Sequence, residues 1–226
     1  MKNSVRKTLT YADLFDYPLT LNELHFFLLT KERVSLTAFK KHLSHSFLTK
    51  EGISFRSGYY FFPGREKILK IRKKREEYSG GKFLIAEKAA EKIKKISWVR
   101  MVGVTGALSM MNAKEEDDID LMIVTSTNRL WLTRLTIFIL GFFWKINRRK
   151  PKETNPKDKI CFNLFLEEGF LKIPCQNLFL AHEIVQIKPL ADKGKIYEKL
   201  LLENSWIFRF LPNTEIIQKR KHLKFF

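Results

Sequence analysis

The sequence contains few of the residues that mark secreted proteins and cysteine-based metal sites. Only two cysteines, Cys161 and Cys175, occur among 226 residues, and they do not form a Cys-x-x-Cys motif. Cysteine this sparse argues against a disulfide scaffold and against a cysteine-rich zinc site. Because each cysteine lies in an apolar run, we expect both to be buried thiols in a reducing compartment, which favours a cytoplasmic location.

Acidic residues are also scarce relative to basic ones. The chain has 24 Asp and Glu against 42 Lys and Arg, which gives a formal net charge of +18. A surface this basic attracts polyanions such as nucleic acid, nucleotides or acidic lipid. The alternative interpretation is a uniformly basic proteome in the source, since the charge is spread along the chain. With 45% apolar and 29% charged residues, the composition is that of a globular protein and excludes a disordered one.

No apolar run is long enough to cross a membrane. The strongest one covers residues 130–144, but Arg134 interrupts it. Its uninterrupted part is shorter than the ~20 residues that a membrane-spanning helix needs. The first residues also lack the apolar core of a signal peptide. We therefore predict no stable membrane insertion and interpret residues 130–144 as a helix buried within a domain.

Residues 1–64 have the pattern of a small helical domain that ends in a hairpin. Two helices are predicted within residues 8–30, and Thr20 with Glu23 has the spacing of a capping box before the second helix. Ser35 begins a third helix, and short strands follow at residues 53–55 and 59–62. Helices followed by a hairpin resemble a winged-helix domain. The resemblance implies either nucleic-acid binding, with Lys40 and Lys41 contacting phosphates, or a protein-contact module.

Residues 65–97 are predicted to form a helical linker. The segment is rich in Lys, Arg and Glu around an apolar stripe, and Ser79-Gly80-Gly81 interrupts it. We therefore predict two helices. The first is strongly basic, and its Lys73, Lys74 and Arg75 are further candidates for contact with nucleic acid.

Residues 98–212 alternate between strand and helix patterns. Strands are predicted at residues 99–105, 118–124 and 160–166, with helices at residues 108–113, 130–146, 177–186 and 195–210. This alternation predicts an α/β layered domain, that is, a mixed sheet with flanking helices. The remaining residues, 213–226, are predicted to be a basic tail.

Two carboxylates in the second predicted strand carry the chemistry. Asp118 and Asp120 are separated by one residue, so they project from the same face of the strand. Two adjacent carboxylates in a partly buried place repel each other, and a hard divalent cation such as Mg²⁺ relieves that repulsion. Gly106, at the end of the preceding strand, allows close approach of the backbone to a phosphate. An acidic turn at the start of the strand would explain Asp118, but it explains Asp120 poorly because Asp120 lies in an apolar run.

This arrangement resembles the polymerase-β-like nucleotidyltransferase superfamily. The family pattern is an apolar strand, a Gly-Ser or Gly-Gly pair and then Asp-x-Asp in a second strand; Gly106 matches the glycine, and Asp118 and Asp120 match the acidic pair. The resemblance implies transfer of a nucleoside monophosphate from a nucleoside triphosphate, with Mg²⁺ or Mn²⁺ as cofactor. The acceptor would be an unspecified nucleic acid or other anionic molecule.

The chain departs from the family pattern at two places. Ala107 stands where the family has Ser or Gly, next to Gly106 in the phosphate-binding turn. The family's third acidic ligand, on a later strand, has Asn163 or Glu167 as its counterpart here. These departures favour an alternative in which a catalytically degenerate transferase fold serves as a nucleotide- or nucleic-acid-binding regulator.

Two further interpretations come from other parts of the sequence. The basic charge and the apolar segment at residues 130–144 also suit a protein that works at a membrane surface. The dipeptide His182-Glu183 begins like a zinc-protease motif, but Gln186 stands where the second histidine is required, so that interpretation fails. We expect His182 to be an ordinary helix residue.

Overall fold

The computed structural model describes residues 1–215, which form two compact units. The first unit comprises Met1–Lys74, Gln176–His182 and residues 205–215, and the second comprises Arg75–Cys175 and Glu183–Asn204. Each unit contains helices and a sheet of its own. The predicted α+β class is therefore confirmed. Residues 216–226, which make up most of the predicted basic tail, lie outside the described part of the chain.

The first unit combines short helices with a small antiparallel sheet. Its strands pair in the order β1-β3-β2. The elements in chain order are α1 (Lys2–Asp13), β1 (Leu19–Thr20), α2 (Leu21–Phe26), α3 (Leu36–His42), α4 (His45–Glu51), β2 (Ser54–Arg56) and β3 (Tyr59–Phe61). The predicted hairpin is confirmed as β2 and β3. The winged-helix interpretation of this unit stays a prediction.

Serine and threonine side chains set the helix starts in this unit. The predicted capping box is present, since Thr20 accepts a hydrogen bond from the Glu23 backbone and the Glu23 carboxylate accepts one from the Thr20 backbone. The helix predicted from Ser35 is confirmed as α3, and the Ser35 hydroxyl accepts a hydrogen bond from the Ala38 N–H. Helix α3 ends at His42, and Ser44 caps a separate helix, α4, by accepting from the Phe47 N–H. The first helix also begins at Lys2, earlier than predicted.

The segment predicted as two linker helices is a single helix, α5 (Lys67–Ile93). The prediction of a break at Ser79-Gly80-Gly81 is wrong because tertiary contacts offset the weak helix propensity of glycine. Ser79 is fully buried, and its hydroxyl accepts a hydrogen bond from the Ala113 N–H at 3.1 Å. Lys82, one turn later, is also anchored by buried contacts. The helix therefore continues through Ser79-Gly80-Gly81.

The second unit is built on a four-stranded mixed sheet with the order β6-β5-β4-β7. Strand β5 pairs parallel to β6 and antiparallel to β4, and β7 pairs antiparallel to β4. A mixed sheet with flanking helices is consistent with the predicted nucleotidyltransferase-like fold class. The elements are β4 (Val99–Val104), α6 (Gly106–Ser109), β5 (Ile119–Thr125), α7 (Leu130–Phe143), β6 (Ile160–Glu167), β7 (Lys188–Asp192) and α9 (Ile196–Glu203). Helix α8 (Leu178–Gln186) belongs to the first unit up to His182 and to the second unit from Glu183.

Two elements near the end of the chain differ from the prediction. Strand β7 was not predicted, because its sequence contains Pro189 and charged residues; it forms an edge of the sheet, where proline is tolerated. The helix predicted over residues 195–210 ends at Glu203. Short 3-10 helices follow at Ser205–Arg209 and Pro212–Glu215.

The core of the second unit lies around the two central strands. Strands β4 and β5 are buried along nearly their whole length, and one face of α5 packs against them. Burying this much aliphatic surface stabilises the sheet and fixes the register of β5. The ends of these strands are consequently well-defined positions for polar side chains.

Helix α7 is not the buried helix that was predicted. Only Thr133, Ile137 and Gly141 are buried, which is one narrow face at helical spacing. Among the described residues, no helix has both the length and the apolar content required to cross a membrane. The burial prediction rested on the absence of a polar face, but here the exposed side of the helix is itself apolar. The two thiols also differ from expectation, since Cys161 is half-buried and Cys175 is exposed.

Candidate metal centre

Asp118 and Asp120 lie at the start of β5, as the sequence pattern predicts. In the parallel pairing of β5 with β6, Asp120 stands beside Cys161. The carboxylates of Asp118 and Asp120 and the Cys161 sulfur offer three ligand atoms within 4.8 Å of one another. All three residues are half-buried. This cluster has the size and donor types of a metal-binding group.

Negative charge is poorly compensated in this cluster. Burial raises the pKa of Asp120 above its usual range, and the charge of Asp118 raises it further. Burial also raises the pKa of the Cys161 thiol to about 12, with Asp120 adding to the effect. The thiol is therefore neutral at physiological pH and forms a hydrogen bond with Asp120. A bound cation would lower the pKa of Asp120, because a cation stabilises the ionised form of the carboxylates that hold it.

Arg149 provides the nearest positive charge. Its Nη1 donates to Asp118 Oδ2 at 2.7 Å. The backbone holds Arg149 there, since its N–H donates to the Ile160 carbonyl and the Ile160 N–H donates to the Asn147 carbonyl. The arginine therefore offsets the charge of Asp118 more directly than that of Asp120.

The backbone turn at Gly106 lies directly against Asp120. Gly106 has φ +62°, and a Cβ at this position would stand 3.0 Å from Asp120 Oδ2. A side chain here would therefore be strained by the backbone conformation and would crowd the carboxylate. The next residue, Ala107, is exposed. The Ser109 hydroxyl donates to the Gly106 carbonyl at 2.7 Å and is buried, so it does not replace the hydroxyl missing at Ala107.

Glu183 is a site residue that the sequence analysis missed. Burial raises the pKa of this carboxyl group, and the charge of Asp120 raises it further, while a hydrogen bond from the Gly106 backbone lowers it. Glu183 thus belongs to the same electrostatic environment as Asp120. The dipeptide His182-Glu183 stands out in the sequence, but its spacing carries no information about proximity to Asp120.

His182 has a separate role, in the first unit. Its ring stacks on Tyr11 at 4.2 Å and lies 5.1 Å from Phe27, centroid to centroid. Burial lowers the pKa of His182 to about 3, so the imidazole is neutral at physiological pH. These contacts describe a histidine packed among aromatic rings.

Lys82 holds the chain segment that leads into Asp118. Its side chain is 2% exposed, and its Nζ donates to Asp158 Oδ1 at 2.7 Å and to the Asp117 carbonyl at 2.6 Å. A third bond reaches the Glu115 carbonyl at 3.0 Å. The ammonium group therefore positions the turn before β5. The sequence offered no signal for this role beyond the position of Lys82 after two glycines.

The two residues predicted as a third metal ligand occupy other positions. Asn163 is exposed and lies at an irregularity in β6, between the pairs Leu121–Phe162 and Met122–Leu164. The Glu167 carboxylate accepts hydrogen bonds from the backbone N–H groups of Asn128 and Leu130, where it caps the start of α7. The residue that β6 places beside Asp120 is Cys161.

The basic residues predicted to bind nucleic acid lie on helices α3 and α5. Lys40 and Lys41 are exposed in the last turn of α3, and Lys73 and Lys74 are exposed on α5. Arg75 donates to Asn112 Oδ1 at 3.2 Å. Four of the five cations are thus accessible to a polyanion, and contact with nucleic acid stays a prediction.

Comparison with known proteins gives limited information. No protein-family model matches the chain, and no curated protein matches it. Among solved structures, the chain is similar to one described as the crystal structure of a toxin-antitoxin with AMP-PNP. The match has 14% sequence identity and a TM-score of 0.31, and it covers 59% of this chain and 96% of the other. A similarity this weak assigns neither fold nor function.

Proposed function

We propose that this protein is a divalent-metal-dependent nucleotidyltransferase that transfers a nucleoside monophosphate from a nucleoside triphosphate to an acceptor hydroxyl. The observation that carries the proposal is the pair Asp118 and Asp120 on one strand end, with the Gly106 turn packed against Asp120. This pairing of acidic ligands with a glycine turn is the pattern of the nucleotidyltransferase superfamily.

The donor set fits a divalent cation. Asp120 has a raised pKa because burial and the Asp118 carboxylate both disfavour its ionised form, so a cation at this point would be stabilised by both groups. Asp118 and Asp120 would hold Mg²⁺ or Mn²⁺ through carboxylate oxygens, and Cys161 would remain a neutral neighbour. When bound, such a cation supplies positive charge that stabilises the developing negative charge of phosphoryl transfer.

The residues of the chain itself have two tasks in this reaction. The turn at Gly106 and the exposed Ala107 provides backbone that a triphosphate can approach, and the Asp118 and Asp120 carboxylates would hold the metal–nucleotide complex. The acceptor oxygen forms a bond to the α-phosphorus, and the bond from the α-phosphorus to the bridging oxygen breaks. Pyrophosphate leaves with the bonding electrons, and the hydroxyl proton passes to solvent.

A second function is supported by specific contacts: a nucleotide-binding regulator without transferase activity. The group that β6 places beside Asp120 is the Cys161 thiol, which is not a carboxylate. Arg149 already pairs with Asp118, and Glu183 accepts a hydrogen bond from the Gly106 backbone. Each of these contacts lowers the capacity of the site for metal or phosphate without removing the fold.

The test is release of pyrophosphate from each of the four common nucleoside triphosphates, with Mg²⁺ or Mn²⁺ and with RNA, protein and small-molecule hydroxyls as acceptors. We expect turnover in the wild type and a loss on the order of a hundredfold, about 3 kcal/mol, in Asp120→Asn. Glu91→Gln is the matched control, since Glu91 is an exposed carboxylate of the same unit. Nucleotide binding without turnover would favour the regulator, and neither binding nor turnover would contradict both functions.

A further inference from the structure

Helix α7 presents a broad apolar face to solvent. Trp131 is 77% exposed and Phe142 is 81% exposed. The exposed face of α7 consists of large residues that recur every three or four positions, namely Trp131, Leu135, Phe138, Ile139, Phe142 and Phe143. The spacing places them on one side of the helix, opposite the buried Thr133, Ile137 and Gly141. Such a regular exposed face differs from scattered apolar residues on an ordinary surface.

Leaving this face in water is unfavourable. Fully burying one large apolar side chain stabilises a protein by roughly 1.5–3 kcal/mol relative to leaving it exposed. Contiguous apolar patches beyond a few hundred Å² are uncommon on monomeric proteins and mark interaction surfaces. The face therefore points to an apolar partner.

Positive charge surrounds the exposed face. The guanidinium of Arg134 lies 5.3 Å from the Trp131 ring centre, and that of Arg148 lies 4.4 Å from the Phe138 ring centre. Every charged residue from Arg129 to Lys152 is Lys or Arg. Arginine side chains stacked on exposed aromatic rings place cations and apolar surface side by side. The partner must therefore offer hydrocarbon and negative charge together.

We propose that the exposed face of α7 docks on the surface of a bilayer that contains anionic lipids. The apolar side chains enter the boundary between headgroups and acyl chains, and the surrounding arginines and lysines contact lipid phosphates and carboxylates. With 14 residues, α7 is about 21 Å long, which is too short to cross a hydrocarbon core of ~30 Å. The helix therefore lies along the surface. This proposal does not depend on the transferase activity.

Two other partners suit the face less well. A second copy of the chain would bring two sets of like charges together around the apolar contact, which is unfavourable. Single-stranded nucleic acid would match the aromatic rings and the cations, but it would gain little from Leu135 and Ile139, because bases stack on planar rings. Of these three partners, a lipid surface is the one that uses the aliphatic, aromatic and basic residues at once.

The test is sedimentation of the full-length protein with vesicles of phosphatidylcholine and phosphatidylserine, and with vesicles of phosphatidylcholine alone. We expect binding to the anionic vesicles, weakened at least tenfold by salt and by the loss of phosphatidylserine. The double variant Trp131→Ser/Phe142→Ser should lose at least tenfold in binding. The control variant Phe170→Ser/Leu202→Ser removes two exposed apolar residues elsewhere in the same unit and should bind like the wild type.

A second measurement uses the wild type and a conservative variant, Trp131→Phe, that keeps an aromatic ring at this position. The fluorescence emission of wild-type protein should shift to the blue on anionic vesicles, and Trp131→Phe should lose most of that shift. Three results would overturn the proposal: no vesicle binding, equal binding by the Trp131→Ser/Phe142→Ser variant, or binding unaffected by phosphatidylserine. Concentration-dependent dimerisation that this variant abolishes, without vesicle binding, would assign the face to a second copy instead.

Discussion

Each unit contains a carboxyl group that is largely removed from solvent, and the two groups have neighbours of opposite charge. In the first unit, burial alone would raise the pKa of Glu23, but hydrogen bonds and charge from Arg72 lower it below the usual value. In the second unit, burial raises the pKa of Asp120, and the nearest acid, Asp118, raises it further. The charge of Glu23 is therefore balanced by an arginine, whereas Asp120 lies beside a second negative charge.

The difference separates a structural carboxylate from a candidate ligand. Arg72 donates to both oxygens of Glu23, at 2.8 and 3.0 Å, and Tyr17 donates to Oε1 at 2.7 Å. That network is complete without any bound partner. The ionised form of Asp120, in contrast, is disfavoured by burial and by Asp118 despite a hydrogen bond with Cys161, and a bound cation would stabilise it. A perturbed carboxyl group of this kind is typical of a functional site.

Removing the arginine of the neutralised pair should have the largest effect on stability. Arg72→Met leaves the Glu23 carboxylate buried without its main partner, and we expect a loss of about 3–5 kcal/mol in the free energy of unfolding. Urea denaturation of the full-length protein measures this change. Arg65→Met is the control, since Arg65 pairs with Asp13 and Asp16 at the surface and should cost at most about 1 kcal/mol. Equal losses of unfolding free energy in Arg72→Met and Arg65→Met would contradict the conclusion that Arg72 balances a buried charge.

The buried lysine of the second unit should have the next largest effect. Lys82→Met removes the donor to Asp158 and to the carbonyls of Glu115 and Asp117, so we expect a loss of about 3 kcal/mol. Because these contacts position the turn before β5, metal binding should also weaken. Lys157→Met, at an exposed ion pair with Glu115, is the matched control and should leave stability nearly unchanged, because solvent screens this pair.

His182 predicts an acid-sensitive contribution from the first unit. Its pKa is about 3 when folded, against 6.5 for an ordinary histidine, so the unfolded chain binds the proton first. Neutral His182 makes its full contribution to the free energy of unfolding above the unfolded pKa of 6.5. This contribution is lost as pH falls from 6.5 towards 3, and the loss is about 2 kcal/mol at pH ~5. Urea titrations at several pH values should show a shallower slope for His182→Phe over this range. An unchanged slope would show that His182 is accessible to protons.

Replacing a glycine in the middle of α5 should give the smallest change in the free energy of unfolding. A Cβ at Gly81 meets no atom within 4 Å, so Gly81→Ala adds helix propensity without a clash. We expect a gain of about 0.5–1 kcal/mol in the free energy of unfolding, measured by thermal or urea denaturation. A loss of stability would indicate that the helix requires glycine at this position.

The sequence was sufficient for the parts of the fold set by local pattern. The alternation around Asp118 and Asp120 predicted β5, and the Thr20–Glu23 spacing predicted the capping box of α2. Long-range contacts were not predictable in the same way. The break at Ser79-Gly80-Gly81 is prevented by a bond to Ala113, and Lys82 reaches Asp158, which is far away in the sequence.

The candidate site shows the same division. Gly106 follows β4, and the acidic pair lies at the start of the next strand, β5. Their proximity could therefore be predicted from the pairing of two consecutive strands. The remaining neighbours depend on the register of β6 and on the path of distant segments. The pairing of β5 with β6 places Cys161, not Asn163, beside Asp120, and Glu183 comes from a helix much later in the sequence.

The most direct test of Asp118 and Asp120 as metal ligands is a thermal melt with and without Mg²⁺ or Mn²⁺ and a nucleoside triphosphate. Ligand at a hundred times its dissociation constant stabilises the folded state by about 2.7 kcal/mol. We predict a clear increase in the melting temperature of the wild type and of Glu91→Gln, and a much smaller increase for Asp118→Asn and Asp120→Asn. Equal increases in all four proteins would place the metal site elsewhere and contradict the account.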